Sequence, residues 1–225
     1  MRYVLIPGAG GDAWLWHILQ RELADRGHES VAVDLPADDG SAGLAEYTDA
    51  VLRAIGGHGD VVLVAQSMGG FTAPLVSARI PLRALVLVNA MIPLPGESAG
   101  AWGEAVGSEP ARVAAAEAGG HSVDFDLVET FLHDVPAEVL DPAAMANGRD
   151  EAEIAFTEPC EFDTWPDVPI TVLVGRDDRL FPADFQVRVA RERLGVDADV
   201  LPGGHLMALA NPQGVADRLL AVASR

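Results

Sequence analysis

Apolar and polar positions are grouped in blocks along the chain. Short, nearly unbroken apolar runs rich in Val and Leu occur at 3–6, 30–33, 61–65, 84–88, 170–174 and 198–201. Strands buried on both faces have this pattern, so the runs predict a parallel sheet. Between them the apolar positions recur at helical spacing, as at Leu44, Tyr47, Val51, Leu52 and Ile55. Helices are predicted over 13–26, 44–56, 68–79, 183–194 and 212–223. Gly27 and Gly56 stand where C-cap glycines end the first two. Strand alternating with helix predicts a doubly wound α/β sheet of six mainly parallel strands.

The alternation breaks once. From 90 to 165 no strong strand pattern occurs, and amphipathic stretches at 123–135 and 137–145 predict helices. A structureless loop of that length is improbable inside a domain, so 90–165 is expected to be a helical insertion. The core is then 1–89 together with 166–225. The insertion leaves after the run ending at Val88, at the carboxyl end of a strand, where open α/β sheets bind ligands. It is placed to act as a lid.

A length of 225 residues fits one domain with an insertion. The formal net charge of −19 repels phosphate backbones and anionic lipid, which argues against nucleic-acid and membrane partners. All 15 basic residues are Arg, which excludes mechanisms that need a lysine, such as Schiff bases and P-loop phosphoryl transfer. The single cysteine, Cys160, allows no intrachain disulfide, and Glu158 and Glu161 beside it disfavour a thiolate. No signal peptide precedes the first strand pattern and no apolar run approaches the ~20 residues of a membrane span, so a cytoplasmic protein is expected.

The chemistry is carried by "DVVLVAQSMGGFTAPL", residues 60–75. A buried strand runs into Gln66-Ser67-Met68-Gly69-Gly70 and then a helix. This is close to the nucleophile elbow G-x-S-x-G, with Ala65 at the first glycine position. A sharp strand-to-helix turn strains the serine backbone and needs small residues two before and two after it, as Ala65 and Gly69 are. The helix N-terminus adds a free N–H at Met68. Serine needs a base to take its proton, and the base needs an acid to orient it. Of the six histidines, only His205 follows a core strand and precedes the last helix. Asp177 and Asp178 lie just past the preceding strand. Two adjacent carboxylates facing the same way would repel, so one is expected to face His205 and the other solvent. No cluster has metal-ligand spacing, and no metal or cofactor is expected.

The opening stretch "YVLIPGAGGDAWLWH" admits two readings. Gly8 to Ala13 fits the dinucleotide fingerprint G-x-G-x-x-G/A, with Asp34 about 20 residues further on. A short-chain reductase also needs Tyr and Lys, and the chain has no Lys and only Tyr3 and Tyr47, neither on the right helix. That reading leaves the elbow, the double Asp and His205 unexplained. The alternative makes the loop half of an oxyanion hole, with the N–H of Ala9 beside that of Met68 and with Gly8 and Gly10 allowing close approach.

On "VLIPGAGGDAWLWHIL", "GHESVAVDLPA", "AQSMGGF", "GRDDRLFPADFQ" and "GGHLMALANPQ" the chain resembles the α/β-hydrolase superfamily. More narrowly it resembles the plant methylesterase and hydroxynitrile lyase group and its bacterial relatives. The likeness spans nearly the whole core and is weak over the insertion. Its G-x-x-D-x-x-x-P pattern places the acid at Asp178, between Gly175 and Pro182, and its first-loop donor at Ala9. Two departures are Pro7-Gly8 for the usual His-Gly and Ala65 for Gly. The lyases resemble one another in a Thr at the position of Gly8 and a Lys directly after the histidine. Here that residue is Leu206, which offers no charge to receive cyanide.

The resemblance therefore implies a serine hydrolase cleaving a small or medium apolar ester through an acyl-enzyme. C–C or hydroxynitrile cleavage on the same residues is one alternative, and a non-catalytic small-molecule binding protein is another. The expected partner is a small-molecule ester, and the protein a monomer or homodimer. The expected pocket comprises Gly8, Gly10, Trp14, Met91, Leu206 and Met207, with Phe71 nearby.

Overall fold

A computed structural model describes residues 1–140 and 148–223. Strand β1 (Arg2–Ile6) leads through a 3₁₀ turn (Ala13–Trp16) into α1 (His17–Asp25) and β2 (Glu29–Ala32). Then follow α2 (Leu44–Ile55), β3 (Val61–Gln66), α3 (Gly69–Ser77) and β4 (Ala84–Val88). The stretch from β4 to β5 holds α4 (Ala99–Val106), α5 (Ser108–Gly119), a π turn (Val128–Leu132) and α6 (Glu153–Thr157). The chain closes with β5 (Ile170–Gly175), α7 (Ala183–Leu194), β6 (Asp199–Leu201), α8 (Met207–Ala210) and α9 (Pro212–Ala223).

The six strands are all parallel, in the order β2-β1-β3-β4-β5-β6. The central runs became strands because their residues bury on both sides: β3 and β4 are buried throughout, whereas the edge strands β2 and β6 are largely half-buried or exposed. The period of two still sorts them. Val4, Ile6, Leu63, Ala65, Leu85 and Leu87 join one core with α2, α3 and α7. Tyr3, Leu5, Val62, Val64, Val86 and Val88 join the other with α1 and α9. The register pairs Ile6 with Ala65 and Gln66 with Val88, so the strands end side by side. The loops that follow share one edge of the sheet, where β1 and β3 diverge toward opposite flanks.

The helix expected over 13–26 begins as a 3₁₀ turn, because the Asp12 carboxylate accepts the Trp14 N–H at 2.8 Å and tightens the first turn. Among the described residues of 90–165 there is no strand, as expected. The helix expected over 123–135 shrinks to the five-residue π turn, started by Asp126 accepting the Glu129 N–H at 2.8 Å. Of the helix expected over 137–145, residues 141–145 lie outside the described residues, and 137–139 form a turn. Among the described residues no helix is long and apolar enough to cross a membrane.

Candidate active site

Ser67 sits between β3 and α3 with φ of 51°, a left-handed conformation that costs a non-glycine residue about 1–3 kcal/mol. The neighbours hold it there. The Ser67 N–H donates to the Val88 carbonyl at 3.3 Å, and its own carbonyl accepts from Gly70 and Met91 N–H at 3.1 and 2.9 Å. The turn tolerates no bulk. A Cβ on Gly69 would lie 2.5 Å from the Pro7 carbonyl oxygen. A Cβ on Gly8 would lie 2.7 Å from Ser67 Cβ, so the first loop rests directly on the serine.

His205 is 1% exposed in the loop between β6 and α8. Its Nδ1–H donates to Asp178 Oδ2 at 2.8 Å, and Ser67 Oγ–H donates to its Nε2 at 3.0 Å. The direction follows from chemistry: an ionised carboxylate only accepts, so Nδ1 carries the proton and Nε2 offers the lone pair. Asp178 is buried, and its oxygens are filled. Oδ1 accepts from Leu180 and Phe181 N–H at 2.8 and 2.9 Å, and Oδ2 accepts from Gln186 Nε2 at 3.0 Å besides the imidazole. Phe131 and Phe181 pack edge-on to the imidazole, with ring centroids 5.2 and 5.3 Å away.

The adjacent carboxylates diverge as charge repulsion requires. Asp177 turns outward to Arg176, whose Nε and Nη2 reach it at 3.0 and 2.9 Å, and the guanidinium holds its carboxyl below the usual range.

The first loop and the helix N-terminus flank this relay. Among the described residues, no hydrogen-bond partner takes the N–H of Ala9 or of Met68. Two further loop amides are taken by carboxylates. The Gly10 N–H donates to Glu151 Oε2 at 2.7 Å, and the Ala13 N–H to Asp34 Oδ1 at 3.1 Å. A dinucleotide would need those amides for its phosphates, and here the protein's own carboxylates hold them.

A cavity of about 270 Å³ opens above Ser67 and His205. Gly8, Ala9, Gly10, Trp14 and Leu206 line it as expected, joined by Leu15, Leu127, Phe131, Leu132 and Arg149. Two expected residues do not. Met91 is 7% exposed, because its N–H is tied to the Ser67 carbonyl and its side chain packs in the core beneath. Met207 is fully buried, turned inward from α8 into the core shared with α1 and α9. Phe71 is likewise fully buried in the core. The apolar residues at 127–132 come from the insertion, and only their helical spacing hinted at them.

Three polar residues escaped the sequence reading. Asn89, at φ of 46° and fully buried, donates from Nδ2 to the Gly204 and His205 carbonyls and accepts the Gly175 N–H at 2.6 Å. Gln186 donates to Asp178 and, at 2.6 Å, to the Phe181 carbonyl. Gln66 donates from Nε2 to the His205 carbonyl at 3.4 Å. Asn89 directly follows a core strand, which was the one available signal. Cys160 is buried, its thiol 3.2 Å from the Phe71 carbonyl, and burial followed by Glu158 and Glu161 pushes it up to about 12.

This sheet order, elbow and serine–histidine–aspartate relay define the α/β-hydrolase architecture. The sequence matches the Alpha/beta hydrolase family over residues 3–218, and the chain belongs to that family. It is 33% identical to Methylesterase 7 of Arabidopsis thaliana over 105 residues, 41% of this chain and 40% of the relative. The matched part thus spans about two fifths of that relative's length. Alpha-hydroxynitrile lyase of the same plant is 22% identical over an alignment covering 99% of this chain and 96% of that one. Among solved structures, a pyrethroid hydrolase from Sphingobium faniae JZ-2 superposes with a TM-score of 0.80 at 20% identity, covering 100% of this chain and 97% of that one. Polyneuridine aldehyde esterase superposes with a TM-score of 0.80 at 19% identity, covering 99% and 98%. At such identities these structures establish the shared fold.

Proposed function

We propose that the protein is a serine esterase acting on small or medium apolar esters, with Ser67 as nucleophile, His205 as base and Asp178 as the orienting acid. The observation that carries this reading is the continuous hydrogen-bonded chain from Asp178 through His205 to Ser67, opening under an apolar cavity beside two N–H groups that have no partner among the described residues. Ser67 Oγ attacks the ester carbonyl carbon while its proton passes to His205 Nε2. The carbonyl π electrons move to oxygen, where the Ala9 and Met68 N–H groups receive the charge. Collapse breaks the bond to the alcohol oxygen, which takes the proton from Nε2. Water then attacks the acyl-enzyme by the same route, releasing the acid and freeing Ser67. Asp178 holds the imidazole tautomer and stabilises its cation throughout.

Residues 90–165 serve as the cap in this reading, with the 127–132 segment over the acyl or alcohol group. The chain's charge of −19 fits a neutral ester and disfavours nucleic acid and anionic membranes. The buried, unbridged Cys160 fits a cytoplasmic setting. The named relatives include methylesterases and a polyneuridine aldehyde esterase, which supports ester bonds as the target. The full-length likeness to the alpha-hydroxynitrile lyase keeps a second reading, nitrile-releasing cleavage on the same relay. Leu206 beside the histidine and the crowded Gly8 weigh against it.

The test is hydrolysis of p-nitrophenyl acetate and butyrate by wild type and Ser67→Ala, with mandelonitrile as the second substrate. Ester turnover that vanishes in Ser67→Ala, with no aldehyde from mandelonitrile, is expected. Equal inactivity of both proteins on esters, or aldehyde release without ester turnover, overturns the esterase reading.

A further inference from the structure

The loop from Gly8 to Gly11 has a problem of its own making. Its glycines let the backbone approach Ser67, and Gly10 and Gly11 take φ of 82° and 62°. Oxyanion donors act only if they are aimed in advance, and the Gly8–Ala9 plane, which carries the Ala9 N–H, is tied within the loop on its carbonyl side by the Gly11 N–H at 3.0 Å. Something must hold the plane between Ala9 and Gly10.

Residues 149–151, in the insertion just before α6, grip this loop from above. Glu151 Oε2 accepts the Gly10 N–H at 2.7 Å, and Oε1 accepts the Tyr47 hydroxyl from α2. Arg149 Nη2 donates to the Gly11 carbonyl at 2.8 Å and to Asp34 at 2.9 Å, and its Nη1 donates to the Leu35 carbonyl at 3.1 Å. The fit is close: a Cβ on Gly10 would lie 2.8 Å from the Arg149 carbonyl oxygen. Burial pushes the Glu151 carboxyl above its ordinary range, opposed by the bonds from Tyr47 and Gly10. A half-buried acid that the acyl-transfer scheme does not use is therefore spent on one backbone amide of the oxyanion loop.

We infer that Glu151 is a positioning residue for acyl transfer: its hydrogen bond to the Gly10 N–H locks the Ala9–Gly10 peptide plane, which fixes Ala9 and through it the adjoining plane whose Ala9 N–H faces the oxyanion. The inference rests on the esterase reading for the oxyanion, though not for the clamp itself. The role needs an acceptor rather than a charge. A glutamine retains one oxygen for Gly10, and its amide nitrogen can donate to the Tyr47 oxygen, whose hydroxyl rotates. It also makes the oxyanion loop depend on the docked insertion, since Arg149 and Glu151 belong to it.

The experiment pairs kinetics on p-nitrophenyl butyrate with hydrogen–deuterium exchange of the backbone over residues 7–15, in wild type, Glu151→Ala and Glu151→Gln. Removing the clamp is expected to speed exchange at Gly10 and to lower kcat by about tenfold to a hundredfold while KM stays within about threefold, the signature of lost transition-state stabilisation. Glu151→Gln is expected to restore both readouts. Unchanged exchange in Glu151→Ala overturns the clamp. A kcat loss that merely follows the folded fraction, or one that Glu151→Gln does not rescue, overturns the positioning role. A wild type lacking Ser67-dependent turnover overturns the esterase reading instead, and exchange alone then decides whether Glu151 holds the loop.

Discussion

Asn89 Nδ2 reaches the carbonyl oxygens of Gly204 and His205 at 2.9 and 3.0 Å, tying the end of β4 to the loop that carries the imidazole. Its Oδ1 accepts the Gly175 N–H at the end of β5. One buried amide thus joins three chain segments that meet only in the folded state. Asn89→Ala leaves the Gly204 carbonyl and the Gly175 N–H unpaired and the His205 carbonyl with only the Gln66 amide, at about 1–3 kcal/mol for each buried unpaired group. Urea unfolding is expected to show a stability loss of about 2 kcal/mol or more, with kcat falling in the fraction that remains folded.

The two adjacent aspartates are expected to behave differently. Asp178→Asn replaces the acceptor that sets the imidazole tautomer, and kcat is expected to fall by about 10³–10⁴. Asp177→Asn removes only a surface pair with Arg176 and an acceptor for the Gly203 N–H at 3.2 Å. Its kcat is expected to stay within about threefold, because exposed pairs contribute little. Comparable losses in both variants would contradict the assignment of the acid.

Position 8 tests the lyase alternative directly. A side chain there meets Gln66 Oε1 at 2.6 Å and Ser67 Cβ at 2.7 Å. Gly8→Thr with Leu206→Lys installs the residues in which the lyases resemble one another. In this chain the pair is expected to abolish ester turnover without yielding aldehyde from mandelonitrile, since the loop must shift to accept the threonine. Mandelonitrile cleavage by the double variant would show that the loop adapts.

Cys160 offers a pH test. Its thiol is pushed up from the ordinary 9.0 to about 12, chiefly by burial. The native state therefore keeps the proton that the unfolded chain gives up, and this contribution is complete below about pH 9 and is lost as pH rises toward about 12. Cys160→Ser is expected to flatten the decline in stability between those limits, measured by urea unfolding across pH. Iodoacetamide at pH 8 is expected to label the native protein only at its unfolding rate, leaving esterase activity intact.

Most of the frame could be read from the chain. All six strands fall within about two residues of the apolar runs, well inside the usual boundary uncertainty, and the central ones mark themselves because strands buried on both faces, as β3 and β4 are, are apolar almost throughout. The elbow was legible because its turn tolerates only small residues at fixed offsets. His205 followed from its place after the last strand. The choice between Asp177 and Asp178 needed the family pattern, and their divergence became visible only when Arg176 and His205 lay on opposite sides.

Local pattern and spacing along the chain were thus enough for the α/β alternation, the strained serine and the histidine, since each is set by forces acting within one element and its turn. Tertiary structure decided what lies between elements. Met91 and Met207 turned into the core rather than the cavity, because the backbone directions at the ends of β4 and α8 point them there. Asn89 and Glu151 gained their partners across 86 to 141 residues of chain. A buried amide or carboxylate is shaped by whichever donors the fold brings to it, and no periodicity records that.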